Sequence, residues 1–323
     1  MRKINFGWAI VALMGILVIG CSDDPADVDP ENEPGTIQER VNAASPGDTI
    51  FLEAGTYSDL HELTVFDGYT IQVFCEMKPG VVVRGKTGNP EDVIIDPGGL
   101  GRGFWFRDTG NSTGLADLTV RNASWAVMGL DASPWITNCI FENNGNVEEN
   151  PASSGAGMYF DRSSSVITDC IFQNNEASSG GGATFSQSSV VRLDSCVFRG
   201  NHCTGSGGGL VVGNNSSVTL NDCTFVDNTA GEDGAGIFSH GDFLVMFGGN
   251  ISGNTADSRG GGFGIRSADS GMVLNNVTIV DNVASEGSDG YVWTYSGSVS
   301  LVCCETNPES WVGDVTFNNE DCR

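Results

Sequence analysis

The sequence is short of lysine: Lys3, Lys78 and Lys86 are the only three in 323 residues, and all basic residues number 15 against 41 acids. The formal net charge of −26 excludes a nucleic-acid-binding protein, which needs clustered cations to displace phosphate counterions. A CxxC pair and histidine-rich spacing are also missing, so nothing supports a zinc site or any other metal. Glycine is abundant at 45 residues but has no three-residue period, which excludes collagen, and an apolar content of 39% excludes a disordered chain. What is left is an acidic, turn-rich chain long enough for a large core.

Long apolar runs are likewise scarce. Ile4 to Gly20 follows Arg2 and Lys3 and ends in Val18-Ile19-Gly20-Cys21, which reads as an export signal. The alternative is an uncleaved membrane anchor, for which this run is at the lower limit of length. The cysteine directly after Gly20 makes the segment resemble a bacterial lipoprotein signal. That resemblance implies that residues 1–20 are removed, that Cys21 carries lipid into the membrane, and, from Ser22, that the outer membrane is the destination. Asp23 to Pro34 holds six acids and three prolines, so residues 21–35 read as a solvated tether. Nine other cysteines remain: Cys75, Cys139, Cys170, Cys196, Cys203, Cys223, Cys303, Cys304 and Cys322. An odd number leaves at least one unpaired.

An internal repeat sets the fold. Cys139-Ile140-Phe141-Glu142-Asn143-Asn144 returns as Cys170-Ile171-Phe172-Gln173-Asn174-Asn175, then around Phe198 and Asn201, and again around Phe225 and Asn228. Weaker copies end at Asn254 and Asn282, and a glycine cluster follows each copy. Periods of 26 to 31 residues mean a solenoid, propeller or array. Short β-type runs such as Leu210-Val211-Val212, Val218-Thr219-Leu220 and Cys223-Thr224-Phe225 lack helical periodicity and are too few per period for a propeller blade. The expected fold is all-β: a right-handed, single-stranded parallel β-helix of the pectate-lyase-like kind, over residues 36–302. Phe141, Phe172, Phe198 and Phe225 should form an inward ladder, with the cysteines as small apolar fillers beside them. Asn144, Asn175, Asn201, Asn228, Asn254 and Asn282 should occupy turns in the left-handed conformation and hydrogen-bond from coil to coil. An asparagine-lined ligand track is the functional alternative.

The FxxN phrases followed by Gly181-Gly182-Ala183 or Gly234-Ala235-Gly236 resemble the repeats of chlamydial polymorphic outer-membrane proteins over roughly residues 139–290. The resemblance implies a β-helix and a role as surface adhesin, with lipid on Cys21 standing in for the membrane barrel of that family. Thr36-Ile37-Gln38-Glu39 reads as a capping box opening a short helix, with Ile37, Val41 and Ala44 on one face to plug the N-terminal end. Gly55-Thr56-Tyr57 reads as a turn. Residues 303–323 read as a C-terminal cap stapled by Cys303 or Cys304 with Cys322.

Chemistry is harder to find. Counting from each glycine cluster predicts inward columns Met158, Ala183, Leu210, Ile237, Phe263 and Phe160, Phe185, Val212, Ser239, Ile265. The outward columns become Tyr159, Thr184, Val211, Phe238, Gly264 and Asp161, Ser186, Gly213, His240, Arg266, on an open face. His240 and Arg266, with Asp242 two residues along, are the one outward set able to bind or deprotonate a sugar acid. His61 and His202 have no evident partner. Clustered carboxylates, the motifs of polygalacturonases and pectin esterases, and calcium-binding nonapeptides are missing. The reading is therefore a non-catalytic, cofactor-free surface lipoprotein that binds glycans or neighbouring or host surface proteins. The alternative is a lyase or glycoside hydrolase acting on acidic polysaccharides, the lyase with calcium.

Overall fold

A computed structural model describes residues 35–65, 69–145, 152–267, 271–294, 298–318 and 322. The export segment, Cys21 and nearly all of the tether lie outside these residues. The described chain winds as a parallel β-helix. One coil shows the pattern: strands Met158–Asp161, Ser164–Thr168 and Ile171–Gln173 are followed by the two-residue strand Glu176–Ala177. A glycine turn then leads to Ala183–Ser186, one coil on. Stacking of equivalent strands builds two eleven-stranded sheets, one of nine strands and one of four. Sheet 1 contains Met158–Asp161, sheet 2 Ser164–Thr168, sheet 3 Ile171–Gln173, and the short sheet 4 Glu176–Ala177. All described pairings are parallel except His61–Thr64 with Thr70–Met77, an antiparallel hairpin at the N-terminal edge of sheet 1.

Register follows the repeat. Phe141, Phe172, Phe198, Phe225, Ile251 and Ile279 stand opposite one another on successive coils of sheet 3. The Phe198 ring lies 4.5 Å from that of Phe172 and 4.7 Å from that of Phe225, nearly parallel to both. Beside them Cys139, Cys170, Cys196 and Cys223 are buried, and each thiol donates to the carbonyl two residues back. Burial pushes the Cys170 thiol up, and Cys203, buried under sheet 4, is pushed up to about 12. Buried thiols of this kind stay protonated and inert.

The asparagines stack as well. Asn144, Asn175, Asn201, Asn228 and Asn254 each donate both their backbone N–H and their side-chain amide to the Oδ1 of the next asparagine, at 2.9–3.1 Å. The same amide also reaches back to a carbonyl of the preceding coil, as Asn201 does to Phe172 at 2.9 Å. The left-handed conformation does not belong to these asparagines. It falls on the residue before each: Asn143, Asn174, Gly200, Asp227, Gly253 and Asp281 all have φ of 53–66°. The kink at that residue turns the following asparagine inward, where its amide replaces the strand hydrogen bonds lost at the corner.

Two kinds of glycine act in each turn. Gly180 has a φ of 60°, which few side chains tolerate. At Gly182 it is proximity that forbids a side chain: a β-carbon would meet the Gly209 carbonyl oxygen at 2.5 Å and the Phe198 ring at 2.8 Å.

At the N-terminal end, helix Ile37–Ala43 carries the capping box between Thr36 and Glu39 and buries Ile37 and Val41 against the first coil. Gly55–Tyr57 is a strand of sheet 3, not a turn, because it pairs with Val93–Ile95. At the other end Cys303 is bonded to Cys322, while Cys304 faces the core and continues the cysteine column. The stacking does not stop at residue 302: Trp311–Val312 extends sheet 1 and Val315–Asn318 extends sheet 2.

Candidate functional site

The outer face of sheet 1 brings arginine, histidine and tryptophan together: His240 and Arg266 line one groove, and Arg266 stands opposite Trp293. Pairing places Tyr159, Thr184, Val211, Phe238, Gly264 and Tyr291 in one outward column. Asp161 stands opposite Ser186 in the next, and Arg266 opposite Trp293. The face is not open along its whole width. Thr184, Val211 and Phe238 are buried, because the glycine turns fold back over them: Gly234 packs on Phe238, as Gly207 does on Val211.

Beyond this ridge lies an open groove of about 530 Å³. Ser179, Gly205, Ser206 and Glu232 form the ridge side, Asn214 lines it too, and Phe238, His240 and Arg266 complete the lining. Against Arg266 stands Trp293, 40% exposed, with the guanidinium carbon 4.8 Å from the centre of its ring. Arg259 approaches the same indole at 5.0 Å and also covers Tyr291, but it is held by both oxygens of Asp233, at 3.1 and 3.0 Å. Arg266 has no carboxylate partner among the described residues. Desolvation and, after it, the Arg266 charge hold the His240 imidazole below its ordinary pKa, so it is neutral at pH 7.

Asp242 does not join this set. Gly241 carries the chain out of sheet 1, and Phe243 already begins a strand of sheet 2, which leaves Asp242 exposed beyond the groove. His61 is half-buried in the N-terminal hairpin, and His202 is exposed on sheet 4 with Nδ1 2.8 Å from the Thr229 hydroxyl. The FxxN asparagines are consumed by one another in the interior, so the ligand-track reading of that ladder fails. Among the described residues no group of three or more His, Cys, Asp or Glu is placed to hold a metal ion.

A second cationic feature, which sequence reasoning missed, lies on the same sheet nearer the N-terminus. Arg102 stands between two tryptophans, 5.0 Å from the ring centre of Trp105 and 4.8 Å from that of Trp125. Its Nε and the Trp105 Nε1 are buried without a partner, and burial pulls the Arg102 pKa down to about 10.

Stacked parallel strands, coil-long repeats and inward ladders agree with a family match. A model of the right-handed β-helix region matches residues 130–305, more than half of the chain. The chain belongs to the right-handed β-helix family. No curated protein sequence matches it. Among solved structures, this β-helix is similar to a mutant of the periplasmic alginate epimerase AlgG at 11% identity and a TM-score of 0.38. That likeness covers 88% of this chain and 83% of the epimerase chain.

Proposed function

We propose that this β-helix is an exported, lipid-anchored surface protein that binds acidic glycans in the sheet 1 groove without turning them over. One observation carries the reading: Arg266 lies on the exposed Trp293 ring at the edge of an open groove, with no carboxylate partner among the described residues. A guanidinium braced on an indole presents a planar fork to a carboxylate, and the indole offers a flat apolar surface to a sugar ring. In a chain of net charge −26, an arginine without a carboxylate partner among the described residues is a selective feature against a repulsive background. Display on the cell surface, adhesion to glycans or to neighbouring or host surface proteins, and the likeness to the polymorphic outer-membrane repeats fit such a binding face.

On a glycan array, the protein is expected to retain uronate-containing glycans over neutral ones. Arg266→Met and Trp293→Ala should each weaken that retention at least tenfold, about the loss of one charge-assisted hydrogen-bonded contact. Equal retention of neutral glycans would overturn the proposal. For the anchor, Cys21→Ser should release the protein from membranes or leave an unprocessed precursor. Processed protein that stays membrane-bound with serine there would refute lipidation.

A second reading rests on His240. A neutral imidazole beside an unpaired guanidinium is what proton abstraction from a uronate needs, with Arg266 holding the carboxylate, and calcium is the cation this lyase reading adds. Hydrolysis fits less well, since among the described residues Glu232 is the only carboxylate lining the groove and most glycosidases require two. Formation of unsaturated uronate, abolished by His240→Ala, would establish the lyase in place of the binder.

A further inference from the structure

Nine large apolar side chains are exposed among the described residues, and four of them share one face. Val166, Val190, Phe243 and Phe247, each 43–57% exposed, point outward from sheet 2 on strands Ser164–Thr168, Val190–Asp194 and Phe243–Phe247. Alternation fixes the direction: Leu244 and Met246 are buried in the core, so Phe243, Val245 and Phe247 face out. A cluster of exposed apolar side chains on a water-facing sheet marks an interaction surface more often than a lone one does.

The same face is almost without charge. Eight consecutive strands of sheet 2 run from Trp135–Thr137 to Val315–Asn318. At their outward positions only Arg192 and Asp194 are charged, and these two bond each other at 2.9 Å. The outer column of sheet 3 is different, with Arg121, Glu142 and Arg199 on neighbouring coils. Charge returns at the corners of sheet 2, where Asp169, Asp222 and Asp242 are exposed. Eight strands at ~4.8 Å and five residues at ~3.3 Å make a face of about 600 Å². Two such faces together bury about 1,200 Å², the lower end of the range for a stable, specific interface.

We infer that the outer face of sheet 2 is the interface of a homodimer, in which two copies pack sheet 2 against sheet 2, about 10 Å apart. Charge selects a second copy as the occupant. Chains of net charge −26 repel one another, and two of them meet at least cost where neither presents an acid. The pattern is also self-complementary. A two-fold axis in the plane of the interface, passing through Val245, sets phenylalanine against phenylalanine whether it runs along the strands or along the solenoid. An acidic glycan finds no free cation here, because Arg192 is held by Asp194. The interface is separate from the sheet 1 groove, whose lining includes none of these residues.

Sedimentation velocity of the full chain in mild detergent, over a concentration series, tests the interface. A monomer–dimer equilibrium is expected. Phe243→Ser combined with Phe247→Ser should weaken it at least about tenfold, since aromatic anchors near the centre of an interface carry most of its energy. Thr219→Glu, opposite Val245 on the neighbouring strand, should do the same with both phenylalanines in place, by setting acid against acid. Leu100→Ser, at an exposed apolar residue off this face, should leave the equilibrium unchanged, and circular dichroism shows that each variant is folded. Added salt should tighten the dimer by screening the acids at the corners. A chain that stays monomeric throughout, a dimer indifferent to both sheet 2 variants, or a dimer that salt dissociates overturns the inference. So does a monomer that binds phospholipid vesicles through Phe243 and Phe247, which would assign the face to a bilayer.

Discussion

Asn201→Ala is expected to lower the stability of the β-helix by about 3–5 kcal/mol, the cost of stranding several buried polar groups at ~1–3 kcal/mol each. Asn201 is completely buried, and its side chain takes part in four hydrogen bonds. Its Oδ1 accepts from the backbone and the amide of Asn175, while its own amide donates to Phe172 and to Asn228. Alanine removes all four. The Asn175 N–H then faces a gap in the apolar interior, and the damage falls on two neighbouring coils as well as on its own. Had the side chain merely capped a turn at the surface, one lost hydrogen bond would cost about 1 kcal/mol. Urea denaturation followed by circular dichroism measures the difference. A loss near 1 kcal/mol would mean that water enters and restores the missing partners.

Phe198→Ala should cost a similar amount, about 3–5 kcal/mol, by a different route: lost burial and a cavity that a stiff scaffold cannot close. Phe198 is fully buried, between the rings of Phe172 and Phe225. The backbone around it is pinned by ladder hydrogen bonds on both sides, so collapse into the void is restricted. Phe198→Leu, which nearly preserves volume, should cost less than about 1.5 kcal/mol. An alanine variant within about 0.5 kcal/mol of wild type would place Phe198 outside the core.

The fold was legible because the repeat carries its own register. Once Phe172, Phe198 and Phe225 are aligned, every residue of those coils has a defined neighbour, and the inward columns of sheet 1 follow by counting. The left-handed residue was misplaced by one position, since FxxN marks the asparagine but the kink falls on a residue whose type varies, from Asn174 to Gly200 to Asp227. Burial of the outward column was not legible either. That Gly234 folds back onto Phe238 is a matter of turn path, which composition does not encode.

The site was half visible. His240 and Arg266 were found by counting from the glycine clusters. The same counting from Gly290 would have put Trp293 opposite Arg266, but the degenerate cluster at residues 287–290 hides that last coil. Asp242 misled because closeness in sequence was read as closeness on the face, although the chain changes sheets at Gly241. Arg102, Trp105 and Trp125 lie in N-terminal coils that lack the FxxN phrase, so nothing in the sequence aligned them with the rest.

Each coil meets only the coil before it and the coil after it, through the same asparagine, cysteine and aromatic contacts. Chain length is therefore free to change in whole coils: excising residues 176–201 would set His202 directly after Asn175, in the position Glu176 now holds. Such an excision leaves Arg102 and Arg266 untouched and brings their strands one spacing nearer along the axis, about 4.8 Å. The β-helix is in this sense a ruler graduated in coils, on which gene duplication or loss alters the distance between two marks without redrawing either.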